Sequence, residues 1–553
     1  MAYNDKKAIT GGHSMLQIRD NVHGDIVLDG MFAHIVNTPE FQRLRLIEQG
    51  DFRPVYPGAR HDRFAHSLGT YYLAGKFVDR FFRNLIADFR DIKFLPGEVR
   101  RLKTTFRYAA LLHDVGHAPF SHTTEGFFAE YPDPDHPLIW DQLCDEIKAV
   151  ASPADYDRFV KSTAKKKGAP HEIVSAILLI RNRDAFLQKK GAADVDLELA
   201  ARMVIGYTYA PTDHGASPAD ARDKGLRNCL IQLLNSSIMD VDRLDYLGRD
   251  TMMSGFTNAP LDLETLSAAV TAVELENGWL APAYRDSALR VFDLMFQAKL
   301  SHDAWVLANP AGRYDAALLT HCIRRLNDAI DPGYRKTIFS VDALSQDGVD
   351  VAGKHYRLLS DIDVWSDLKA QRDDEFQELF TREPGKRRTA VWRSYYEYCH
   401  LFGTQAKAAY EFFAPLMKHM AKEQMFTFDP INYGLILRST TDPAVHRAAD
   451  FLNDFLLDPN GDGSNIKDSY SVVLLDRSTA FTMKIDPADI RIVFPAANIP
   501  LREGEFTYST YSALTGVTKE SIHKEDYFYL FRYGALGVHQ LSNFRRKLLD
   551  ELI

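Results

Sequence analysis

Apolar residues recur at helical spacing along most of the first 330 residues, and this periodicity limits the chain to a mainly α-helical fold. In the segment HSLGTYYLAGKFVDRFFRNLI, Leu68, Tyr72, Phe77 and Phe81 lie near helical spacing. Further helices are predicted for three segments: TPEFQRLRLIEQG, from an N-cap at Thr38 to an end at Gly50; EVRRLKTTFRYAALLHDVGH; and DSALRVFDLMFQAKLSHDAWVL.

The pattern changes after residue 330, where turn residues become frequent before helical patterns resume and continue to Lys422. Beyond Phe426, the stretches SYSVVLLD, FTMKI and IRIVF alternate apolar and polar residues, which predicts strands. We therefore expect three units: a helical core over 1–330, a helical extension of the core over 331–424, and a smaller C-terminal α+β region over 425–553.

Charge and cysteine content exclude several classes of protein. A net charge of −9 does not suit a protein that coats nucleic acid through a basic surface. The four cysteines lie far apart without a CxxC pair, which excludes a zinc ribbon and favours a reducing cytoplasm. Because no apolar leader segment and no membrane-length uncharged run occurs, we expect a cytoplasmic protein without a membrane partner.

The stretch YAALLHDVGHAPFSH sets His113, Asp114, His117 and His122 directly behind an apolar helical run that a glycine and a proline interrupt. The His-Asp dipeptide alone is weak evidence, because it also occurs at 61–62 and 302–303. Imidazole and carboxylate groups together suit a divalent metal ion: Mn, Fe, Zn or Ni, with Mg as a further candidate.

Additional ligands are available elsewhere in the chain. ARHDRFAHSLG contains His66, and SSIMDVDRLDYLGRD contains Asp240, Asp242, Asp245 and Asp250. Taken singly, such a histidine is more often a hydrogen-bonded core residue, and such an aspartate is more often a helix cap. It is their order along the chain that points to a metal centre.

This order resembles the HD phosphohydrolase superfamily, and more narrowly the SAM-and-HD-domain dNTP triphosphohydrolases and their bacterial dGTPase-like relatives, without a SAM domain. Four segments carry the resemblance: RDNVHGDIVLDGMFAHIVNTPEFQRLRLIEQ, VYPGARHDRFAHSLG, LLHDVGHAPFSH and MDVDRLDYLGRD. The resemblance covers roughly the first 330 residues and implies an HD-domain helical core. It also implies that His61-Asp62 lies in the loop before Arg63 and that His302-Asp303 has no ligand role.

The resemblance assigns roles to individual residues. His66, His113, Asp114 and Asp242 would hold the metal ion. His122 would protonate the leaving 5′-oxygen with Glu125 orienting it, and His117 and His171 would contact the phosphates. The substrate-binding residues would be Gln49, Arg63, Arg243, Tyr246, Asp250 and Lys299. The implied reaction is attack at the α-phosphorus of a dNTP, which releases deoxynucleoside and tripolyphosphate.

Some positions depart from the family pattern. Glu125 stands where the family has Asp, and no tyrosine follows Lys299 in the helix that would contact the sugar. Residues 123–170 form an insertion expected at the mouth of the site. A nucleotide activator would bind Asn37, Gln42 and Arg45, with Asn37 replacing a guanine-reading Asp, and a homo-oligomer, dimer or tetramer, is expected.

Two other functions remain open from the sequence. An HD phosphodiesterase or nuclease acting on single-stranded nucleic acid, a cyclic nucleotide or another phosphoester would share every metal ligand. A nucleotide-sensing scaffold with an inactive centre is opposed by the complete set of candidate ligands. The segment DPNGDGSNIKDS resembles half of an EF-hand loop, but its twelfth position, Ser469, supplies no bidentate ligand, so we expect a polar turn.

Overall fold

The computed structural model describes residues 15–50, 55–90, 94–130, 138–161, 168–191, 194–210, 218–236, 239–255, 261–462, 470–477, 490–494, 507–509, 511 and 526–552. Helices dominate these residues, which confirms the predicted mainly α fold. Among the described residues, no helix combines the length and the apolar character that crossing a membrane requires.

The helices of the first half include those that carry the predicted ligands. They are α1 Gly30–Val36, α2 Pro39–Gln42, α3 Arg63–Asp88, α4 Pro96–Leu112, α5 Ile139–Val150, α6 Pro153–Lys161, α7 Pro170–Arg181, α8 Arg183–Gly191, α9 Leu197–Ile205, α10 Pro218–Leu234, α11 Val241–Ser254, α12 Leu263–Ala269 and α13 Leu289–Ser301.

The later helices follow residue 309. They are α14 Pro310–Ala329, α15 Tyr334–Ile338, α16 Asp361–Ala370, α17 Asp374–Glu378, α18 Tyr395–Phe402, α19 Ala406–Lys422, α20 Pro430–Ser439, α21 Pro443–Leu457 and α22 Val538–Leu552.

The strands form small sheets at the edges of the helical core. They are β1 Met15–Asp20, β2 Gly24–Asp29, β3 Val270–Glu274, β4 Leu280–Arg285, β5 Val349–Val351, β6 Lys354–Tyr356, β7 Thr389–Ala390, β8 Val472–Asp476, β9 Arg491–Val493 and β10 Phe528–Arg532. The antiparallel pairs are β1–β2, β3–β4, β5–β6, β7–β10 and β10–β8.

The long helix α3 is the centre of the molecule because it is apolar on most of its surface. Its buried residues include Phe64, Leu68, Phe77 and Phe81, and it packs against α4, α11, α12 and β3. The N-cap residue Asp62 accepts a hydrogen bond from the first turn, which fixes where the helix begins.

The C-terminal region is joined to the core rather than standing apart from it. Strand β9 pairs in parallel with β4, with Ala283 opposite Arg491, and one hydrophobic core runs from Ile26 to Leu548. The strands predicted in SYSVVLLD and IRIVF are present as β8 and β9, whereas FTMKI lies outside the described residues. The division into three units stays a prediction.

The helix predicted from Thr38 to Gly50 is shorter than expected. Helix α2 ends at Gln42, a 3-10 turn follows to Leu46, and Ile47 is extended. The cause is tertiary: the Ile47 carbonyl accepts from the Arg63 N–H at 3.0 Å, which ties this segment to the start of α3. The described part of the EF-hand-like segment is a turn, in which Asp458 Oδ1 accepts from the Gly461 N–H at 2.9 Å.

Candidate metal centre and adjoining cavity

Three helix ends bring imidazole and carboxylate groups to one point of the core. His66 lies in the first turn of α3, His113 and Asp114 follow the last residue of α4, and Asp242 lies in the first turn of α11 behind its N-cap Asp240. His66, His113 and Asp114 are buried, whereas the Asp242 side chain is 37% exposed towards the cavity described below. The four predicted metal ligands are therefore neighbours in space.

The distances among these four residues fit a single ion. His66 Nε2 lies 2.9 Å from Asp242 Oδ1, 3.2 Å from His113 Nε2 and 3.5 Å from Asp114 Oδ2. His113 Nε2 lies 3.3 Å from Asp114 Oδ1 and 3.5 Å from Asp242 Oδ1. Bonds of about 2.1 Å to a common ion place neighbouring donors about 3.0 to 3.4 Å apart. The donor set thus suits a divalent ion that accepts nitrogen and oxygen ligands.

Three of the four candidate ligands are held by a further contact. His66 Nδ1 donates to Asp245 Oδ2 at 2.7 Å and His113 Nδ1 donates to the Ala110 carbonyl at 2.9 Å, so both Nε2 atoms face the centre. Arg63 Nη1 donates to Asp114 Oδ2 at 2.8 Å. These hydrogen bonds set the orientation of the donors before any ion arrives.

Asp245, which the sequence offered only as one of several aspartates, is the hub of this outer layer. Its side chain is fully buried and also accepts from His23 Nε2 at 2.6 Å and from Arg249 Nε at 2.8 Å. Arg249 in turn donates to Asp20 Oδ2 at 2.8 Å. The fit depends on Gly69, because a Cβ at this position would lie 1.9 Å from Asp245 Oδ1.

Burial and charge oppose each other at the centre. Burial lowers the pKa of His66, but hydrogen bonds to Asp242 and Asp245 outweigh it and raise that pKa to about 10. Burial also disfavours ionised Asp114, yet its cationic neighbours, His113 foremost, hold its pKa well below the usual range. The surroundings of His66 therefore stabilise positive charge at the point where the donors converge.

A second cluster, next to the first, contains the four predicted catalytic residues. The rings of His117 and His171 stack with centroids 4.1 Å apart, and each lies 5.0 Å from the ring of His122. Glu125 Oε1 accepts from His122 Nδ1 at 3.2 Å, and Glu125 Oε2 accepts from His171 Nδ1. His117 Nε2 lies 3.2 Å from Asp114 Oδ1, which links the two clusters. Glutamate in place of the expected aspartate thus reaches two histidines.

The loop between the clusters has a strained backbone. Phe120 and Ser121 adopt left-handed φ angles of 62° and 52°, which L residues rarely adopt. Asp361, in the first turn of α16, holds this conformation by accepting from the Phe120 N–H at 2.7 Å. Gly116 allows close packing on α7, since a Cβ there would lie 2.2 Å from the Ser175 nitrogen. This loop brings His122 to the cavity wall, where its side chain is 61% exposed.

A cavity of about 790 Å³ opens beside the centre, within the usual range for a small-molecule site. All six predicted substrate-binding residues line it, together with the candidate metal ligands Asp114 and Asp242 and the predicted catalytic residues His122 and His171. The six are Gln49, Arg63, Arg243, Tyr246, Asp250 and Lys299. Their roles stay predictions, but their common position on one cavity is a property of the fold.

The histidines of the two other His-Asp pairs meet at Asp250, which lines this cavity. His61 Nε2 donates to Asp250 Oδ1 at 2.7 Å, and His302 Nε2 donates to Asp250 Oδ2 at 3.1 Å. His302 opens a π-helical turn, and it lines the cavity with Lys299, which donates to Asp303 at 2.5 Å. Neither histidine joins the metal donors, as the sequence indicated. Their shared contact with Asp250 was not predicted, because 189 and 52 positions separate them from it.

The proposed activator residues lie outside the cavity. Asn37 is exposed and donates to the Ala33 carbonyl at 2.9 Å, Gln42 donates to the Val36 carbonyl at 2.6 Å, and the Arg45 guanidinium stacks 3.5 Å from the centroid of the Phe64 ring. Activator binding there stays a prediction.

The described part of the 123–170 insertion includes α5, α6 and a 3-10 turn at Glu125–Phe128. Helix α5 packs against α7 and α9, and the Trp140 ring stacks on Phe159 at 5.5 Å. Of the insertion's described residues, Thr123 lines the cavity, whereas those of α5 and α6 do not. Its bulk therefore supports α7 rather than forming the cavity wall.

Comparisons with known proteins show what the chain is similar to. Residues 63–142 match the family model described as HD domain. The chain is 25% identical over 393 residues to the deoxynucleoside triphosphate triphosphohydrolase SAMHD1 of Homo sapiens, covering 70% of this chain and 54% of the relative. The SAMHD1 of Gallus gallus is 31% identical over 249 residues, 44% of this chain and 35% of the relative. The matches thus span about a third to a half of the length of these relatives.

A solved structure shows the same fold. The crystal structure of a phosphohydrolase from Bacteroides thetaiotaomicron superposes with a TM-score of 0.52 at 17% identity, covering 94% of this chain and 100% of that chain. At this identity the likeness concerns the fold alone.

Proposed function

We propose that the chain, whose residues 63–142 match the HD domain model, is a metal-dependent phosphohydrolase that hydrolyses deoxynucleoside triphosphates to deoxynucleoside and tripolyphosphate. One observation carries the proposal. The cavity that is lined by Asp114, Asp242 and His122 is also lined by Arg63, Arg243 and Lys299, three cations that suit a polyphosphate. Similarity to SAMHD1 supports the same substrate class.

His66, His113, Asp114 and Asp242 would hold a divalent metal ion, which when bound polarises a phosphoryl oxygen and makes a water molecule more acidic. In the overall reaction, the oxygen of water bonds to the α-phosphorus and the bond from phosphorus to the 5′-oxygen breaks. The protein has to position the phosphate, neutralise its charge and supply a proton to the leaving oxygen.

His122 supplies that proton. Its Nδ1 is engaged by Glu125 at 3.2 Å, so Nε2 is the nitrogen that can face the substrate. Burial disfavours ionised Glu125, but its two histidine partners, His171 foremost, hold the pKa of this carboxyl far below its usual range. The Glu125 carboxylate favours the protonated form of His122 and holds the ring in one orientation, whereas burial, with Arg63 and His171, leaves the pKa of His122 below its usual value.

The phosphate-binding cations are positioned in advance. Arg63 is fixed by Asp114, Arg243 by Asp240 at 3.4 Å, and Lys299 by Asp303. Ion pairing of this kind avoids reorganisation when the polyanion binds, because each side chain already occupies its position. Gln49 and Asp250 lie on the same wall and can bind the sugar hydroxyl.

Mass spectrometry of reaction products tests the proposal. Metal-free protein with added Mn²⁺ should convert dNTPs to deoxynucleoside and tripolyphosphate, and His113→Ala should reduce product to the level of metal-free protein. His355→Ala provides a matched control, since His355 forms an exposed pair with Asp350 away from the site. Mononucleotides released from single-stranded DNA beside intact dNTPs would instead identify a nuclease. Nucleotide binding without turnover in any metal would identify a sensor.

Three finer features of the proposal stay predictions: Mn²⁺ as the working ion, a nucleotide activator at Asn37, Gln42 and Arg45, and assembly as a homo-oligomer. Each can be tested on the active protein, by metal substitution, by added nucleotide and by mass photometry respectively.

A further inference from the structure

We propose that the cavity has a separate nucleobase subsite on its α14 wall, built on the ring pair of His321 and Phe426. The identity of the ligand rests on the proposed function, whereas the existence of the subsite rests on the geometry below. These residues lie outside the segments that resemble the triphosphohydrolases.

The two rings form a platform at the cavity wall. Both side chains line the cavity, and their rings stack in parallel with centroids 4.6 Å apart and an interplanar angle of 16°. Glu375 fixes the platform by accepting from His321 Nε2 at 3.1 Å. Met425 and Leu475 line the cavity beside it. A flat aromatic surface with apolar neighbours suits a stacked base, because every base has a π face.

Space for a base comes from α14 itself. The helix turns small side chains towards the cavity at Gly312, Ala316, Ala317 and Thr320. Two arginines of the same helix, Arg313 and Arg324, also line the cavity, and Arg324 is paired with Glu130 at 2.8 Å. The cavity therefore continues along the helix from the catalytic centre to the platform instead of ending at His122.

The platform lies on the side that the leaving nucleoside has to occupy. Thr320, directly before His321, donates its hydroxyl to the carbonyl of Thr123 at 3.3 Å, and Thr123 directly follows His122. The cations Arg243 and Lys299 belong to α11 and α13, which form a different wall of the cavity. With the triphosphate on those cations and the 5′-oxygen at His122, the base extends along α14.

Gln424 gives the platform a polar edge. It follows the C-terminus of α19 with a left-handed φ of 57°, a conformation that glycine adopts much more easily. Its side chain lines the cavity and, within the described part of the chain, has no hydrogen-bond partner. A carboxamide offers both a donor and an acceptor, as the edge of a base does. Glycine would adopt this backbone conformation more easily than Gln424, but it would not present a carboxamide to the cavity.

Equilibrium binding of deoxynucleosides tests the subsite without requiring turnover. Phe426→Leu keeps apolar volume but removes the ring, and we expect deoxynucleoside affinity to fall about 5- to 150-fold, the range of base–aromatic stacking. Phe426→Tyr should restore binding. Phe380→Ala, which removes a 43% exposed phenylalanine that does not line the cavity, should bind like the wild type. Circular dichroism melting of each variant identifies any that fails to fold.

Kinetics in the same variants separate this inference from the proposed function. With dNTPs, Phe426→Leu should raise KM by a similar factor at nearly unchanged kcat, and it should leave hydrolysis of deoxyribose 5-triphosphate, which has no base, unaffected. If Phe426→Leu loses nucleoside binding and the wild-type protein hydrolyses no dNTP, the subsite is supported and the triphosphohydrolase function is refuted. If the wild-type protein hydrolyses dNTPs and folded Phe426→Leu keeps the same nucleoside affinity, the triphosphohydrolase function is supported and the subsite is refuted. Undetectable nucleoside binding by the wild type would also overturn the subsite.

Discussion

Replacing Gly69 by alanine should weaken metal binding although Gly69 contacts no ion. The residue lies one turn after His66 in α3, and its added Cβ would lie 1.9 Å from Asp245 Oδ1 and 2.4 Å from Arg249 Nη2. Ordinary van der Waals contact begins at 3.4 Å, so the Asp245 carboxylate has to retreat by about 1.5 Å. It cannot do so and keep its 2.7 Å hydrogen bond to His66 Nδ1.

Two costs follow from this displacement. Overpacking a filled site costs about 1 to 3 kcal/mol of unfolding free energy, and a lost hydrogen bond to a charged group costs about 1.5 to 3 kcal/mol. We expect a total near 3 kcal/mol, since the displaced carboxylate keeps some contact with Arg249. His66 loses the partner that orients its Nε2, and outer contacts of this kind are worth about 10- to 100-fold in metal affinity.

Calorimetric titration with Mn²⁺ and urea unfolding of the metal-free protein measure the two effects. Gly75→Ala is a matched control in the same helix, because its Cβ would meet Arg107 Nε at an ordinary 3.6 Å. Alanine favours helix over glycine by up to about 1 kcal/mol, so this variant should be as stable as the wild type or more so and bind Mn²⁺ equally well. If folded Gly69→Ala binds Mn²⁺ within twofold of the wild type, Asp245 does not orient the ligand and the reasoning is wrong.

Three further perturbations probe other parts of the site. Gly116→Ala places a Cβ 2.2 Å from the Ser175 backbone nitrogen, so α7 and its His171 should shift. We expect kcat to fall about 10-fold or more. Steady-state kinetics with an unchanged kcat would refute this. Asp250→Asn tests a pH dependence: burial opposes ionisation, but His302 and His61 hold the pKa of Asp250 below its usual range, and the pKa of His302 is raised despite burial. The contribution of ionised Asp250 to the free energy of unfolding is present above about pH 4 and is lost in acid. The contribution of protonated His302 is present below about pH 6.5 and is lost as the pH rises. In urea unfolding, Asp250→Asn should therefore lose the most unfolding free energy, relative to the wild type, between these two pH values. A constant deficit from pH 3 to pH 8 would contradict this. Chelation should abolish hydrolysis and lower the thermal midpoint, and Mn²⁺ at about 100 times its Kd should restore about 2.7 kcal/mol; an unchanged midpoint would mean that no ion is bound.

The four candidate metal ligands follow from the resemblance and their assignment stays a prediction, but the structure places each of them at the end of a helix. Asp62 and Asp240 cap α3 and α11, so His66 and Asp242 fall in first turns, and the glycine and proline after Asp114 end the helical pattern there. The outer layer could not be predicted in the same way. The contact of Asp245 with His23 spans 222 positions, and no local pattern distinguishes Asp245 from the aspartates around it.

The same distinction applies to the fold. Amphipathic periodicity predicted α3, α4 and α13, since a helix records its buried face in local spacing. The β3–β4 hairpin within the first 330 residues was missed because its strands are buried on both faces, and a short apolar run cannot be told from a helix by periodicity. The parallel pairing of β9 with β4 joins residues about 200 positions apart, which only tertiary structure determines.

The site places several carboxylates in the core, and pairing is what makes this arrangement stable. Asp114 is matched by Arg63 and Asp245 by Arg249, each at 2.8 Å. Removing one partner from such a pair leaves a buried charge and costs about 3 to 5 kcal/mol. Loss of activity in Arg63→Ala or Arg249→Ala would therefore report unfolding as much as chemistry. Asp242 differs, because its side chain is 37% exposed. Asp242→Asn is thus the substitution in which lost metal binding can be measured on a protein that still folds.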